Sequence, residues 1–260
     1  MSRIIALLTD FGHSDPYVGV MHGVILGTNP QVQVVDLCHQ VLPQNVSQAA
    51  FLLRSAYPYF PTGTIFVAVV DPGVGSGRRI LCLATPRYRF LAPDNGLLSL
   101  VEAPGQWIQV ANRRYFLDVV SHTFQGRDIF APVAAHLSLG LDPAELGPIV
   151  NDPQRLPANV PQRIRGELRA QVVHVDHFGN LITNASAADL AALGSNYTIS
   201  IGQVELPGLH QTYTSVPPGE LVALIGSSGQ LEVAVSSGSA SQRLGAGVGT
   251  AVLIRLRGRC

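Results

Sequence analysis

The sequence predicts an α/β domain at the amino-terminal side of the chain, followed by a smaller β-rich domain. Over residues 1–150, strand-like and helix-like segments alternate, which is typical of a sheet covered by helices. Beyond a proline-rich stretch, short β-branched runs are separated by glycine and serine turns, which favours a small β unit. This change of pattern indicates two domains rather than one.

The predicted strands of the first domain are continuous apolar or β-branched runs, as in buried strands. They cover Ile4–Thr9, Val32–Val35, Thr64–Val70, Ile80–Ala84 and Phe90–Ala92. The predicted helices cover Tyr17–Leu26, Val46–Tyr57 and Arg127–Leu139. Asn45 is placed to cap the second helix, and Gly140 stands where a glycine ends the third.

We place a linker at residues 151–165, because prolines and polar residues replace the apolar periodicity there. The domains then span residues 1–150 and 166–260. The second domain contains one predicted helix near Ala187–Leu193 and a set of short strands. These strands cover Glu167–Val175, Tyr197–Ile201, Leu221–Ile225, Gln230–Val235 and Thr250–Leu256.

Composition excludes several functional classes. Hydrophobic residues make up 47% of the chain and charged residues 13%, which excludes disorder and favours oligomerisation through apolar surface. The 17 basic and 17 acidic residues cancel without a basic run, so we expect a small-molecule ligand and neither nucleic acid nor membrane binding. No lysine occurs in the sequence, which excludes Schiff-base chemistry and a P-loop.

The cysteines predict a reducing compartment. Cys38, Cys82 and Cys260 are odd in number and form no CxxC pair, so neither a disulfide framework nor a zinc ribbon is indicated. No apolar run has the length of a signal peptide or a membrane span. We therefore expect a cytoplasmic protein.

Two carboxylates, Asp10 and Asp15, follow the first predicted strand. In open α/β sheets, ligands bind at the carboxyl ends of the strands, so both residues are well placed to meet a polar ligand. A carboxylate can accept two hydrogen bonds from a ribose diol or bind a cationic amine. The alternative is that one of them makes a turn or caps the following helix.

A glycine-rich turn after the third strand contains Asp71 and Arg78. Its GxGxG spacing, followed by a strand, is a poor match to the dinucleotide-binding GxGxxG motif. A carboxylate and a guanidinium together could hold and polarise a water molecule. The alternative is a surface salt bridge.

The polar loop Ser121–Asp128 leads into the third predicted helix. A glycine-containing loop at a helix N-terminus is a common ligand site. Helix capping by Thr123 and Asp128 is the alternative explanation.

Two further groups lie in the second domain. His174 and Asp176 lie on one face of a predicted strand and His177 follows, which raises the question of a metal site. Because this pair has no third clear ligand, a turn or a substrate-binding loop is favoured. In the segment after the Gly226–Gly229 turn, alternate residues should face inward while Glu232 stands on the other face. By itself this second group is an ordinary hairpin.

Taken in order, these segments resemble the S-adenosylmethionine (SAM) hydroxide adenosyltransferase family, whose relatives include the nucleoside fluorinase and chlorinase. The matching blocks are LTDFG with Asp15 and the Tyr17-Val18-Gly19 run, VDPGVG with Arg78, APDNGLL, TFxGRDIFAP, DHFGN and SSGxLEVAV. Any one block is weak evidence, but the ordered set covers nearly the whole chain and is specific. The resemblance implies a Rossmann-like mixed sheet in the first domain and a β-barrel-like second domain.

The resemblance also implies a reaction and the residues that bind its substrate. SAM and water would give adenosine and methionine by in-line attack on the 5′ carbon, with no cofactor. Asp10 would bind the ribose, Asp15 and Asp176 the methionine amine, Asn180 the nucleoside, and Tyr213 would stack on adenine. The remaining substrate contacts implied are Ser227, Ser228, Glu232 and the backbone of Val235.

The catalytic residues implied are Asp71 and Arg78, which would orient and polarise the water. The halogenases carry Tyr-Pro where this chain has Asp71-Pro72, and a carboxylate would repel a halide. Gln125 stands where the family usually has histidine, and glutamine can hold a water but cannot take its proton. His122 could substitute for that histidine, the alternative being an exposed loop histidine.

The family further implies a homotrimer with ligands bound between subunits. Two alternatives stay open from the sequence. One is an adenosine- or SAM-binding protein that is catalytically weak or inactive because the histidine is missing. The other is a metal-dependent hydrolase that uses the histidines of the second domain.

Overall fold

The computed structural model describes residues 4–164, 166–194 and 196–257. The chain divides into two compact units, with the division between Leu156 and Pro157. Cys38 and Cys82 are free thiols, whereas Cys260 lies outside the described residues. Each unit contains its own hydrophobic core.

The first unit contains a six-stranded mixed sheet with the order β2-β1-β3-β5-β4-β6. Strands β1, β2, β3 and β5 are parallel, and β4 runs antiparallel to β5 and β6. The strands are β1 Ile4–Thr9, β2 Gln33–Cys38, β3 Ile65–Val69, β4 Ile80–Ala84, β5 Arg89–Pro93 and β6 Gln106–Gln109. The mixed sheet is therefore confirmed, and β6 is an addition to the predicted strands.

Helices cover both faces of this sheet. The side chains of Ile5 and Leu7 pack in one core cluster with helices α1 and α3, and those of Ala6 and Leu8 pack in another with α2. This two-sided burial explains why the strands read as continuous apolar runs. The helices are α1 Tyr17–Thr28, α2 Val46–Ala56 and α3 Ala131–Ser138.

The helix ends follow the predicted capping pattern in two places. The Asn45 side chain accepts a hydrogen bond from Gln48 N at 2.9 Å and caps α2. Gly140 follows α3 with φ of 106°, a backbone conformation that favours glycine. Both predictions are confirmed.

The third predicted helix differs in its first turn. Residues Gly126–Phe130 form a π turn, and α3 begins only at Ala131. Pro132 has no N–H to donate to Asp128 O, so that carbonyl accepts instead from Leu117 N at 2.9 Å. The prediction of one regular helix over residues 127–139 is therefore wrong in its first turn.

Residues 151–156 belong to the first unit. Arg79 donates to Asp94 Oδ2 at 2.7 Å and to Asp152 Oδ1 at 2.8 Å. Asp94, which is 4% exposed, also accepts from Gln154 N at 2.7 Å. These bonds hold the proline-rich stretch against the sheet, and the limits of the linker remain a prediction.

The second unit is an eight-stranded antiparallel sheet with the order β11-β10-β14-β8-β9-β13-β12, and β7 pairs with β8. His210 N donates to Ala223 O at 2.8 Å, which brings the segment after β11 against β12 and nearly closes the sheet. This arrangement confirms the barrel-like prediction. The strands are β7 Gln162–Ile164, β8 Glu167–Val175, β9 Leu181–Ser186, β10 Tyr197–Ile201, β11 Val204–Leu206, β12 Leu221–Ile225, β13 Gln230–Val235 and β14 Ala251–Leu256.

Two short helices accompany this barrel-like sheet, α4 Ala187–Ala191 and α5 Ala240–Leu244. The helix α4 lies where a helix was predicted but ends two residues earlier. Among the residues that the structure describes, no helix has the length and apolar content needed to cross a membrane.

Candidate functional site

Polar residues gather at the carboxyl edge of the parallel strands in the first unit. Thr9 of β1 pairs in register with Val69 of β3, so Asp10 and Asp71 leave the sheet at the same edge. Arg78 precedes the antiparallel strand β4 and therefore lies at this edge too. Open α/β sheets bind ligands at this edge.

Three of the predicted catalytic residues form one hydrogen-bonded group, which we call the Arg78 cluster: Asp71, Arg78 and Gln125. Arg78 Nε donates to both Asp71 carboxylate oxygens, at 2.8 and 2.7 Å. Arg78 Nη2 contacts Asp71 Oδ2 and donates to Gln125 Oε1. The Asp71 side chain is 5% exposed and that of Arg78 is 9% exposed, so the surface salt bridge considered from the sequence is wrong.

Glycine is required where the two loops of the Arg78 cluster meet. Gly75 has φ of 80°, and a Cβ there would lie 2.5 Å from His122 O. A larger residue would push the loop of Asp71 away from the loop of Gln125. The His122 side chain is exposed, and it is Gln125 that reaches Arg78.

The loop before the π turn is held by a buried carboxylate. Asp128 is fully buried and accepts from Ser121 N at 2.7 Å and from Arg127 Nε at 2.5 Å. The π turn and α3 that follow have no side-chain cap, so helix capping by Thr123 or Asp128 is wrong. Asp128 instead fixes the loop in which Gln125 lies.

The carboxylate of Asp10 is tied to a neighbouring loop. Asp10 Oδ2 accepts from Gln44 N at 2.8 Å, and Asp10 is partly buried while Asp15 is exposed. Helix α1 begins after Pro16 with no side-chain cap, so the capping alternative for both aspartates is wrong. Their predicted contacts with substrate remain predictions.

An aromatic group to which the sequence pattern assigns no role packs beside Gln125. The ring centroids of Phe11 and Phe124 lie 5.9 Å apart, and that of Tyr17 lies 5.0 Å from Phe124. A Cβ on Gly126 would lie 3.3 Å from both Phe11 and Phe124, so a larger residue would crowd these rings. All three aromatic residues occur in the motif blocks, but only their pairing across the fold makes them one apolar surface.

In the second unit, Asp176 and Asn180 form a compact turn. Asp176 Oδ1 accepts from Phe178 N and Asn180 N, both at 2.9 Å, and Asp176 Oδ2 accepts from Asn180 Nδ2 at 2.9 Å. A carboxylate has about four acceptor positions, so three bonds leave room for one more donor. The turn predicted from the sequence is present, and its bonds hold the Asp176 carboxylate in a fixed position.

Tyr213 and Glu232 form a second pair in this unit. Tyr213 Oη donates to Glu232 Oε1 at 2.7 Å, and Glu232 is 5% exposed. Burial raises the pKa of Glu232; the Tyr213 hydrogen bond opposes this, and the charge of Asp176 adds to it. Burial and the same hydrogen bond raise the pKa of Tyr213 to about 12, so its hydroxyl remains a donor.

The other predicted binding residues lie around the β12–β13 hairpin. Ser227 and Ser228 are exposed in its turn, while Val235 is buried at the end of β13. Leu231 and Val233 face the core of the barrel-like sheet, and Glu232 lies on the opposite face, as predicted.

A metal site finds no support in the described part of the chain. Within residues 4–164, 166–194 and 196–257, no three His, Cys, Asp or Glu side chains are grouped to hold a metal ion. Burial lowers the pKa of His174, and the charge of Asp176 opposes this, so His174 favours its neutral form. What the structure does show in this segment is the turn formed by Asp176 and Asn180.

Comparison with known proteins gives a consistent result over both units. Residues 5–147 match the SAM hydroxide adenosyltransferase N-terminal domain, and residues 170–253 match the C-terminal domain of that family. The chain is similar to the (R)-S-adenosyl-L-methionine hydrolase of Thermus thermophilus, with 40% identity over 94% of this chain and 96% of the relative. It is also similar to the fluorinase of Actinoplanes sp., with 29% identity over 75% of each chain.

A solved structure shares the fold over nearly all of the chain. The crystal structure of an uncharacterized conserved protein from Thermotoga maritima superposes with a TM-score of 0.91 and 36% identity, covering 96% of this chain and 99% of that one.

Proposed function

The chain belongs to the SAM hydroxide adenosyltransferase family, and on this basis we propose that it is an enzyme that hydrolyses SAM to adenosine and L-methionine. The observation that carries the proposal is the Arg78 cluster at the carboxyl edge of the sheet. It places a carboxylate, a guanidinium and an amide together, with Asp71 and Arg78 shielded from bulk water. Such a group can orient one water molecule and polarise it.

The reaction is an in-line displacement at the 5′ carbon of SAM. A water oxygen forms the new bond to that carbon while the carbon–sulfur bond breaks. The electron pair of the broken bond remains on the sulfur of methionine. Aligning nucleophile, carbon and sulfur is mainly a positioning task, which fixed geometry can perform at low entropic cost. The rigid attachment of Asp71 to Arg78 supports this role.

The water must lose a proton during this step. Gln125 has no site that accepts a proton at neutral pH, so we assign that task to the Asp71 carboxylate. Arg78 neutralises the charge of Asp71 and keeps its oxygens aimed in one direction. Gln125 would hold the water through its side-chain amide while its oxygen faces Arg78.

The apolar surface of Phe11, Tyr17 and Phe124 supports the same chemistry. As a hydroxide-like oxygen approaches the sulfonium, opposite charges are neutralised in the transition state. A water-poor, weakly polar surrounding therefore favours the transition state over the separated charges.

For the substrate we retain the assignments implied by the family. Asp10 would bind the ribose, Asp15 and Asp176 the methionine amine, Asn180 the nucleoside, and Tyr213 the adenine ring. The free acceptor position on Asp176 and the donor state of Tyr213 support these roles. Ser227, Ser228, Glu232 and Val235 complete the proposed contacts.

The assembly and setting of the enzyme are also proposals. We propose a cytoplasmic homotrimer that binds substrate between subunits and needs no cofactor. The first unit would act as a Rossmann-like domain whose parallel strands present the Arg78 cluster. The alternative of a protein that only binds adenosine or SAM is not favoured, since relatives of similar length are named hydrolases.

Incubation of the purified protein with SAM at neutral and alkaline pH tests the proposal. Chromatography should show adenosine and methionine formed in equal amounts, with loss of both products in Asp71→Ala. Binding of SAM without product at either pH would contradict hydrolysis.

A further inference from the structure

We propose that His39 is a positioning residue that fixes Asp10 for the ribose, an inference that rests on the proposed function. The segment concerned, called the Asp10 segment, comprises residues 9–12 at the carboxyl end of β1. His39 follows β2 directly, and β2 is the parallel neighbour of β1. No role in the reaction was assigned to His39 from the sequence.

His39 is enclosed between two polar partners. Its side chain is fully buried, with Nδ1 at 2.8 Å from Thr9 Oγ1 and Nε2 at 3.0 Å from Asp36 Oδ1. The contact with Asp36 is short, although Nε2 forms no well-aligned hydrogen bond within the described chain. A fully buried histidine that bridges a hydroxyl and a carboxylate has a single, fixed orientation.

The two side chains that contact His39, those of Asp36 and Thr9, determine which ring nitrogen carries the proton. Nε2 faces an acceptor that cannot donate, so Nε2 carries the proton and Nδ1 accepts from the Thr9 hydroxyl. The Thr9 oxygen keeps a lone pair free, and it accepts from Phe11 N at 3.2 Å. One directed chain of bonds thus runs from Phe11 through Thr9 to His39.

His39 also holds the Asp10 segment through its backbone. Gly12 N donates to His39 O at 2.7 Å, so both sides of Asp10 are fastened to the same residue. The strand pairing between β1 and β2 shifts register between Leu7 and Leu8, just before this point. The side-chain bond between Thr9 and His39 therefore connects the two strands just beyond the point where their regular backbone pairing is interrupted.

A second attachment acts on the carboxylate itself. Gln44 N donates to Asp10 Oδ2 at 2.8 Å, with Gln44 in a left-handed conformation at φ of 65°. A non-glycine residue in that conformation is strained, which is common near functional sites. His39 and Gln44 lie on one connection between β2 and α2, so this loop determines where Asp10 points.

The experiment compares Thr9→Val with Thr9→Ser. Valine keeps the shape of threonine but removes the hydroxyl between His39 and Phe11, whereas serine retains it. Adenosine affinity is measured by calorimetry, KM and kcat with SAM, and the melting temperature by scanning calorimetry. We expect Thr9→Val to weaken adenosine binding and raise KM by about tenfold, with kcat within about twofold, because misplacement of a binding group acts on affinity. Thr9→Ser should behave as wild type.

The same substitution in an Asp10→Ala background shows whether Thr9 acts through Asp10. Thr9→Val should then add no further loss of adenosine affinity, since coupled residues are not additive. A lower melting temperature with unchanged adenosine affinity would assign Thr9 and His39 a purely structural role and overturn the inference. If wild type binds adenosine but does not hydrolyse SAM, only the proposed function fails; if it does not bind adenosine, both fail.

Discussion

Arg78 donates from one nitrogen, Nε, to both carboxylate oxygens of Asp71, at 2.8 and 2.7 Å. The two residues stand at opposite ends of one glycine-rich turn, between β3 and β4. Both side chains are almost excluded from solvent, so neither residue can lose its partner without leaving a charge poorly solvated. This mutual dependence makes the pair sensitive to substitution of either residue.

Substitution of Asp71 should slow the chemical step far more than it weakens ligand binding. Asp71→Asn keeps the shape but removes the acceptor for the water proton, so kcat should fall by about 10²–10⁴. Asp152→Asn is the control, because Asp152 also pairs with an arginine but is 82% exposed. Single-turnover measurements with bound SAM provide the test, and a kcat for Asp71→Asn near that of wild type would exclude Asp71 as the base.

Gln125 should accept replacement by histidine but not by leucine. Leucine leaves Arg78 without one of its acceptors, and the loss of a bond to a charged group predicts about a tenfold fall in kcat/KM. Histidine can accept a proton and should add a step near pH 6.5 to the pH dependence of kcat. Identical pH profiles for wild type and Gln125→His would show that this position does not face the reacting water.

Ionisation of Glu232 should destabilise the second unit. Burial is the main cause of its raised pKa, so the folded protein holds the proton more tightly than the unfolded chain does. The stabilising effect of protonation is complete below about pH 4.5 and is lost as the pH rises through the folded pKa.

Glu232→Gln cannot ionise and still accepts from Tyr213. Its melting temperature should therefore change less than that of wild type between pH 4 and pH 7. Scanning calorimetry across this range measures the difference, and parallel curves for the two proteins would refute the prediction.

Gly126→Ala should disturb the aromatic surface. The added Cβ would lie 3.3 Å from Met21 Sδ and from two aromatic rings, which predicts a loss of about 1–3 kcal/mol in the free energy of unfolding. Gly23→Ala is the matched control within α1, since a Cβ there meets nothing within 4 Å. That change should stabilise the helix by about 0.5–1 kcal/mol. Equal effects of the two substitutions on denaturant unfolding would contradict close packing at Gly126.

The sequence predicted strands best where burial is two-sided or strictly alternating. Strand β4 was predicted with its observed bounds, because all of its residues are apolar and both of its faces are covered. Strands β6, β7, β9 and β11 were missed: polar residues make up half of β6 and end β9, and β7 and β11 have only three residues each. Their pairing partners, rather than their own composition, determine that they are extended.

The candidate site was predictable as a set of motifs but not as contacts. Gln125 and Arg78 are 47 positions apart, and only the approach of two loops at Gly75 brings them together. The capping roles considered for Asp10 and Asp128 were wrong, because both carboxylates bond to more distant backbone amides instead. Local sequence patterns cannot distinguish these two kinds of partner.

The origin of the 5′ oxygen in adenosine shows whether water attacks the 5′ carbon of SAM directly. Turnover of SAM in water enriched in oxygen-18 should give adenosine that carries one labelled oxygen, on the 5′ carbon, and unlabelled methionine. Mass spectrometry of both products locates the label. Adenosine without label at the 5′ position would contradict direct attack of water, and with it the role given to Asp71 and Arg78.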